Sequence, residues 1–447
     1  MYPGGFMHKN LQKTIFYIMV ISAFLSYISC ASTTSENCQF EDLNEIKLPV
    51  INRVFADNED AYLQFEKDFL ANRQLALKNW LLSTKTFSDI KSIDDILLAK
   101  IEIIGGQNTG VYSVGKQNNP EQKFILKIGT STEEAPKLFR LQQSIAAKPE
   151  CLIQSKIFSG KKDMEKALEF FPKIIKIYEA ANHSVKNENG LIKHLQLSLL
   201  EEASGQVIYS FHNGQSATEA YRAAGKSTGY FHYLLAINPE DPFTEWITWK
   251  HGDLHSFNIF YNPDLKNITF IDNDGMKSNQ KIDEFGRDFE RSAYMFFYRS
   301  LNGGYSPIRF YLATLIEKEA QRQGKFVANI NYHFLLHGYL DPLSVLINAL
   351  NNLEVQTQVI QTDAFKEIST TFNHFSVFVQ GYLEAMPEEK RPEVRAYFAN
   401  LCRKASNAFL SDYNYITDEV SNNSKLEKAI RTIFPKNFLD CIDNGHF

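Results

Sequence analysis

The stretch WKHGDLHSFNIFYNPDLKNITFIDNDG, from Trp249 to Gly275, decides how this chain is read. NIFY and ITFID are short, β-rich segments separated by a turn over Asn262 to Lys266, which predicts a hairpin with Asn258 and Asp272 near one another at its two ends. Asp253 lies just before it. Two oxygen ligands at the ends of one hairpin suit a hard cation such as Mg²⁺, which takes one or two carboxylates together with substrate phosphates. A neighbouring carboxylate outside the metal shell can accept a hydroxyl proton. Singly, each of these residues reads as a turn or cap residue. Their fixed order and spacing point to phosphoryl transfer.

Upstream the pattern changes from helix to strand. Residues from Asp42 to Leu98 read as mostly helical, with Tyr62, Phe65, Phe69 and Leu70 on one apolar face. IIGGQNTGVYSVG then reads as strand, glycine-rich turn and strand, and Gly105, Gly106 and Gly110, with Asn108 among them, allow a turn whose N–H groups approach phosphates. KFILKIG, from Lys123 to Gly129, alternates as a strand and carries Lys127. TEEAPKLFRLQQSIAA reads as a helix with Glu133 and Glu134 in its first turn, and LQLSLLEEA as another strand. ATEAYRAAGKSTGYFHYLLA is helical, as is the chain from Asp283 onward.

The motif HGDLHSFN followed by IDND resembles the catalytic loop and metal motif of the aminoglycoside phosphotransferase and choline kinase group. The match at His251, Gly252, Asp253 and Asn258 has no insertion. The resemblance spans roughly Ile101 to Asp274 and implies an α+β, bilobal, protein-kinase-like fold: a small antiparallel β lobe plus a large, mostly helical lobe, preceded by an N-terminal helical extension. By resemblance Asp253 is the catalytic base, Asn258 and Asp272 hold Mg²⁺, and Asp274 assists through water. Lys127 reaches the α/β-phosphates of ATP and pairs with Glu133 or Glu134. The backbone near Glu201 to Ala203 is the hinge that binds adenine, and His232 stands at the family's usual histidine position. His251 braces the loop backbone, while His255 reads as packing or capping. The expected acceptor is a small-molecule hydroxyl, with a secreted protein or glycan kinase, or a nucleotide-binding pseudokinase, as alternatives.

The domain plan that follows is a signal peptide at 1–31, the extension at 32–100, the nucleotide-binding lobe at 101–204 and the helical lobe at 205–447. Lys9 and Lys13 precede an uncharged run from Ile15 to Ile28 that ends in small residues, which is signal-peptide anatomy and leaves no stable membrane span after cleavage. The expected location is extracytoplasmic: secreted, periplasmic or in a secretory lumen. Removing Cys30 with the signal leaves Cys38, Cys151, Cys402 and Cys441, compatible with disulfides or with scattered buried thiols. Sequons begin at Asn182, Asn267 and Asn422.

Composition excludes other classes. A chain of 447 residues with 44% hydrophobic and 22% charged residues can bury substantial cores, unlike a disordered one. Its 47 Lys+Arg against 52 Asp+Glu give a net charge of −5, without the positive field that holds nucleic acid. GKST at Gly225 to Thr228 mimics the end of a P-loop, but Ala220 stands where that motif needs its first glycine. No His-Glu-x-x-His or Gly-x-Ser-x-Gly motif is present.

Overall fold

Phe124, Leu126 and Ile128 are fully buried on one side of a strand whose other side carries Ile125 and Lys127, so this alternation sets two faces of a sheet. A computed structural model of the chain describes residues 72–101, 110–129, 134–142, 161–186, 192–212, 214–282, 315, 318–324, 348–349, 351–352, 354–355, 363–401 and 440. Strands β1 (Ile96–Lys100), β2 (Gly110–Lys116), β3 (Asn119–Gly129), β5 (Ile177–Lys186) and β6 (Ile192–Glu201) form one antiparallel sheet in the order β1-β2-β3-β6-β5. Its outer face (Tyr112, Val114, Phe124, Leu126, Leu195, Leu197, Leu199) packs on Ala76, Leu77, Trp80 and Leu81 of helix α1 (Arg73–Leu82). Asn72 caps that helix, its side chain accepting from the Leu75 N–H.

Two findings bear on the expected boundaries. β1 lies before residue 101, and α1 shares a core with the sheet, so the described part of the extension is built into the β lobe. The signal segment, the four cysteines beyond it and Tyr62 to Leu70 lie outside the described residues.

Against the inner face of the sheet lies helix α2 (Glu134–Leu141). Its Ala135, Leu138 and Leu141 belong to a second core that continues into the helical lobe. That lobe is built on helices α4 (Gly214–Leu234) and α5 (Asp363–Glu384), with α3 (Lys161–Leu168) before them in the chain. Between α4 and α5 in sequence run β8 (Ile247–Lys250), the hairpin β9 (Ile259–Asn262) and β10 (Asn267–Phe270), and β11 (Lys277–Lys281), which pairs with β8. The hairpin is flanked by β4 (Lys173–Ile174), parallel to β10, and β7 (Gln206–Val207), antiparallel to β9. Among the described residues, no helix is long and apolar enough to cross a membrane.

Helices α4 and α5 touch backbone to backbone. A Cβ on Gly225 would land on the Phe378 carbonyl oxygen, and one on Gly381 would land on that of Arg222. The glycine of GKST is therefore the contact point of a helix crossing, and Arg222 ties the same pair through Glu384, Nε to Oε1 2.6 Å. Gly225→Ala improves intrinsic helix propensity by about 1 kcal/mol. The expected net result is nonetheless a loss of about 1–3 kcal/mol, because the crossing must open; chemical denaturation of the variant against the parent checks this.

Candidate active site

β8 ends at Lys250, and the chain turns through the buried His251 into Gly252, whose φ of +87° and closeness to Gly275 both demand glycine. A Cβ at Gly252 would lie 2.5 Å from the Gly275 carbonyl oxygen, so the two motif loops are stacked backbone on backbone. His251 binds them further. Its Nε2 lies 3.0 Å from the Ile271 carbonyl oxygen, which can only accept, so Nε2 carries the proton and Nδ1 accepts from the Asp253 N–H at 3.3 Å. Burial lowers the His251 pKa to about 4, against smaller opposing effects of the Ile271 carbonyl, Asp272 and Asp253. The ring is a neutral brace between the loop and the end of β10.

Asn258 is buried, and its backbone carbonyl accepts from the Ile271 N–H at 3.0 Å, joining the two ends of the hairpin. Its side-chain Nδ2 donates to the Asp253 carbonyl at 3.0 Å, which fixes the amide and leaves Oδ1 as its remaining acceptor. Asp272 follows in the left-handed region, φ 57° and ψ 48°. In that conformation its carboxylate reaches the Lys127 ammonium on β3, with Oδ1 to Nζ 2.5 Å. The same ammonium pairs with Glu134 in the first turn of α2, while Glu133 lies outside the described residues. Burial alone would lower the Lys127 pKa; Asp272 and Glu134 outweigh it and raise it, keeping the ammonium charged. Lys127, Glu134, Asp272, Asn258 and Asp253 thus form one connected group.

The other expected positions are placed as follows. Gly110 opens β2, while Gly105, Gly106 and Asn108 lie outside the described residues. At the lobe connection, the Glu201 N–H donates to the Lys176 carbonyl at 2.8 Å, and its carboxylate accepts from Lys173 Nζ at 2.6 Å and from the Lys176 N–H at 3.3 Å. Ala203 follows, half-buried against the second core. His255 stands 3.6 Å from Asp253, Nε2 to Oδ2, while its Nδ1 accepts from the Phe257 N–H. Sequence reading missed Asn273, which is fully buried beside Asp272 and donates to the Phe270 carbonyl at 3.0 Å. Only its adjacency to Asp272 could have drawn attention to it.

No protein-family model matches the chain, and no curated protein does. Among solved structures it is similar to the kinase PK-1 of Cydia pomonella granulovirus, at 12% identity and TM-score 0.25 over 66% of this chain and 97% of that one. It is also similar to amicoumacin kinase hAmiN in complex with AMP-PNP, Ca²⁺ and Ami, at 13% identity and TM-score 0.28 over 78% of this chain and 92% of that one. The chain's own element order, a five-stranded antiparallel sheet with a helix after its third strand joined to a helical lobe carrying the hairpin, is a bilobal, protein-kinase-like α+β arrangement.

Two buried histidines make stability pH-dependent. His232 on α4, with Nδ1 3.0 Å from the Tyr382 hydroxyl on α5, is lowered to about 3 by burial and by the nearby His251. Both imidazoles bind protons more readily unfolded, near pH 6.5, than folded. Their contribution is therefore complete above that pH and is lost as pH falls towards 4, at about 1.4 kcal/mol per pH unit for each ring. Thermal melts from pH 8 to 4 should be flat, then fall, and His251→Asn should fall less steeply.

Proposed function

We propose that the chain is an ATP-dependent phosphotransferase that moves the γ-phosphate of ATP to a hydroxyl of a small-molecule acceptor. The carrying observation is the double pairing of Lys127 with Glu134 and Asp272, because a charged lysine from the sheet meets a carboxylate of metal-ligand type from the hairpin of the helical lobe, which supports this reading. A lysine held in this way presents a fixed positive charge to phosphates.

The residues fit Mg²⁺. Asn258 offers an oriented amide oxygen, and the second carboxylate oxygen of Asp272 has no hydrogen bond among the described residues. No group of three or more His, Cys, Asp or Glu able to hold a metal occurs among the described residues. Mg²⁺ completes its shell with phosphate oxygens and water. When bound, Mg²⁺ would offset the charge on the transferring phosphoryl group. The chain's own residues do the rest. Asp253 orients the acceptor hydroxyl and takes its proton as the new bond from that oxygen to the γ-phosphorus forms and the bond from the β–γ bridging oxygen to the γ-phosphorus breaks, ADP leaving; Lys127 holds the phosphate chain, and the backbone near Glu201 to Ala203 receives the adenine edge. Catalysis of this kind is positioning and electrostatics. The basic, then apolar N-terminus supports an extracytoplasmic setting.

Mg²⁺-dependent ATP turnover and binding by the full chain test this reading. Asp272→Ala should abolish metal-dependent nucleotide binding, and Asp253→Asn should retain binding while turnover falls by about 10²–10⁴-fold. A fully active Asp253→Asn protein would refute the mechanism.

A further inference from the structure

Gln196 is a buried amide on the inner face of the sheet, between Gly129 of β3 and Asn182 of β5 in the register of β6. Gly129 brings no side chain, and the amide extends to the start of α2. There its Oε1 accepts from the Ala135 N–H at 2.7 Å, while its Nε2 donates to Asn182 Oδ1 at 2.7 Å. Only an oxygen can accept that N–H, so the amide has one orientation. The first turn of a helix has N–H groups without partners inside the helix. In α2 the next residue, Pro136, has none to satisfy, and the Ala135 N–H is one of the groups that must find a partner outside the helix. Ala135 is bonded to Glu134, whose carboxylate pairs with Lys127. Lys127 in turn pairs with Ser198 in the β3–β6 register, two residues along from Gln196. The first turn of α2 is therefore held to the sheet at two adjacent points, one ionic and one neutral.

We propose that Gln196, fixed by Asn182, is a positioning residue that caps α2 from the sheet and so holds Glu134 against Lys127. The proposal rests on the nucleotide-site reading above and extends it to residues that touch neither nucleotide nor acceptor. An ion pair fixes distance but tolerates rotation of the helix. A hydrogen bond to the adjacent backbone removes that rotation, so the lysine meets one carboxylate geometry.

The test uses the full chain with Gln196→Leu, which keeps approximate volume and removes both hydrogen bonds. The first readout is hydrogen–deuterium exchange at the Ala135 amide, expected to quicken about 3- to 10-fold with β3 and β6 unchanged. The second is Mg²⁺–ATP affinity in a double-mutant cycle with Glu134→Gln. Gln196→Leu should weaken binding about 5-fold alone and less than about 2-fold in the Glu134→Gln background, because it acts through Glu134. Unchanged exchange, or an equal loss in both backgrounds, overturns the proposal, since a merely structural glutamine would give additive losses. If Gln196→Leu does not fold, Asn182→Ala, which frees one end of the amide, should show the same pattern at smaller size, and its absence would be equally decisive. A parent chain that binds no ATP would refute the nucleotide reading, and the exchange measurement would still decide whether Gln196 caps α2.

Discussion

One largely enclosed ammonium holds the site together. Lys127 leaves the sheet at β3 and meets Glu134 at the start of α2 and Asp272 after β10, so three separate parts of the chain converge on one charge. Removing a lysine from water is costly, and the cost is offset only when opposite charges with good geometry replace the lost hydration. Two carboxylates do so here, and their charges outweigh burial and raise the lysine pKa. Such a centre gives little net stability. It gives specificity, because displacing any one partner leaves buried charge unbalanced.

The rest of the molecule reads as support for that convergence. Gly252 and Gly275 allow the loop before the hairpin to lie on the loop after it, and His251 joins them through Asp253 and Ile271. The hairpin in turn is seated on α4, whose Phe231 packs edge-on to Phe270, with ring centroids 5.7 Å apart. The α4–α5 crossing, closed at Gly225 and Gly381, keeps the platform narrow. Local backbone strain at Asp272 is the visible cost of aiming one carboxylate at the other lobe.

The parts of the site that sit close together in sequence were legible there. Asp253, Asn258 and Asp272 are joined by a short hairpin, so spacing and β-patterning predicted that they come together, their roles resting on the resemblance, and Lys127 stood out as a cation on an alternating strand. The choice of Glu134 was not legible, because two glutamates stand side by side and the first turn of the helix meets Gln196, a residue 61 positions from Ala135. Strand β5 was missed because IYEAANHSVK mixes alanines and polar residues without clean alternation, its pairing being dictated by β6. The relation of α1 to the sheet was also hidden. An apolar helical stripe announces that something covers it, but not what.

That covering helix has a consequence for how the chain acquires its structure. Trp80 and Leu81 leave the ribosome well before Leu195, Leu197 and Leu199, the strand residues against which they are buried. The outer core of the β lobe therefore closes only after a long loop of chain has been made, and non-local closure of this kind is slow. Until then the helix carries an uncovered apolar face, and the growing chain remains pliable and open to capture by chaperones. The order in which its parts are encoded thus gives this protein a late-setting β lobe.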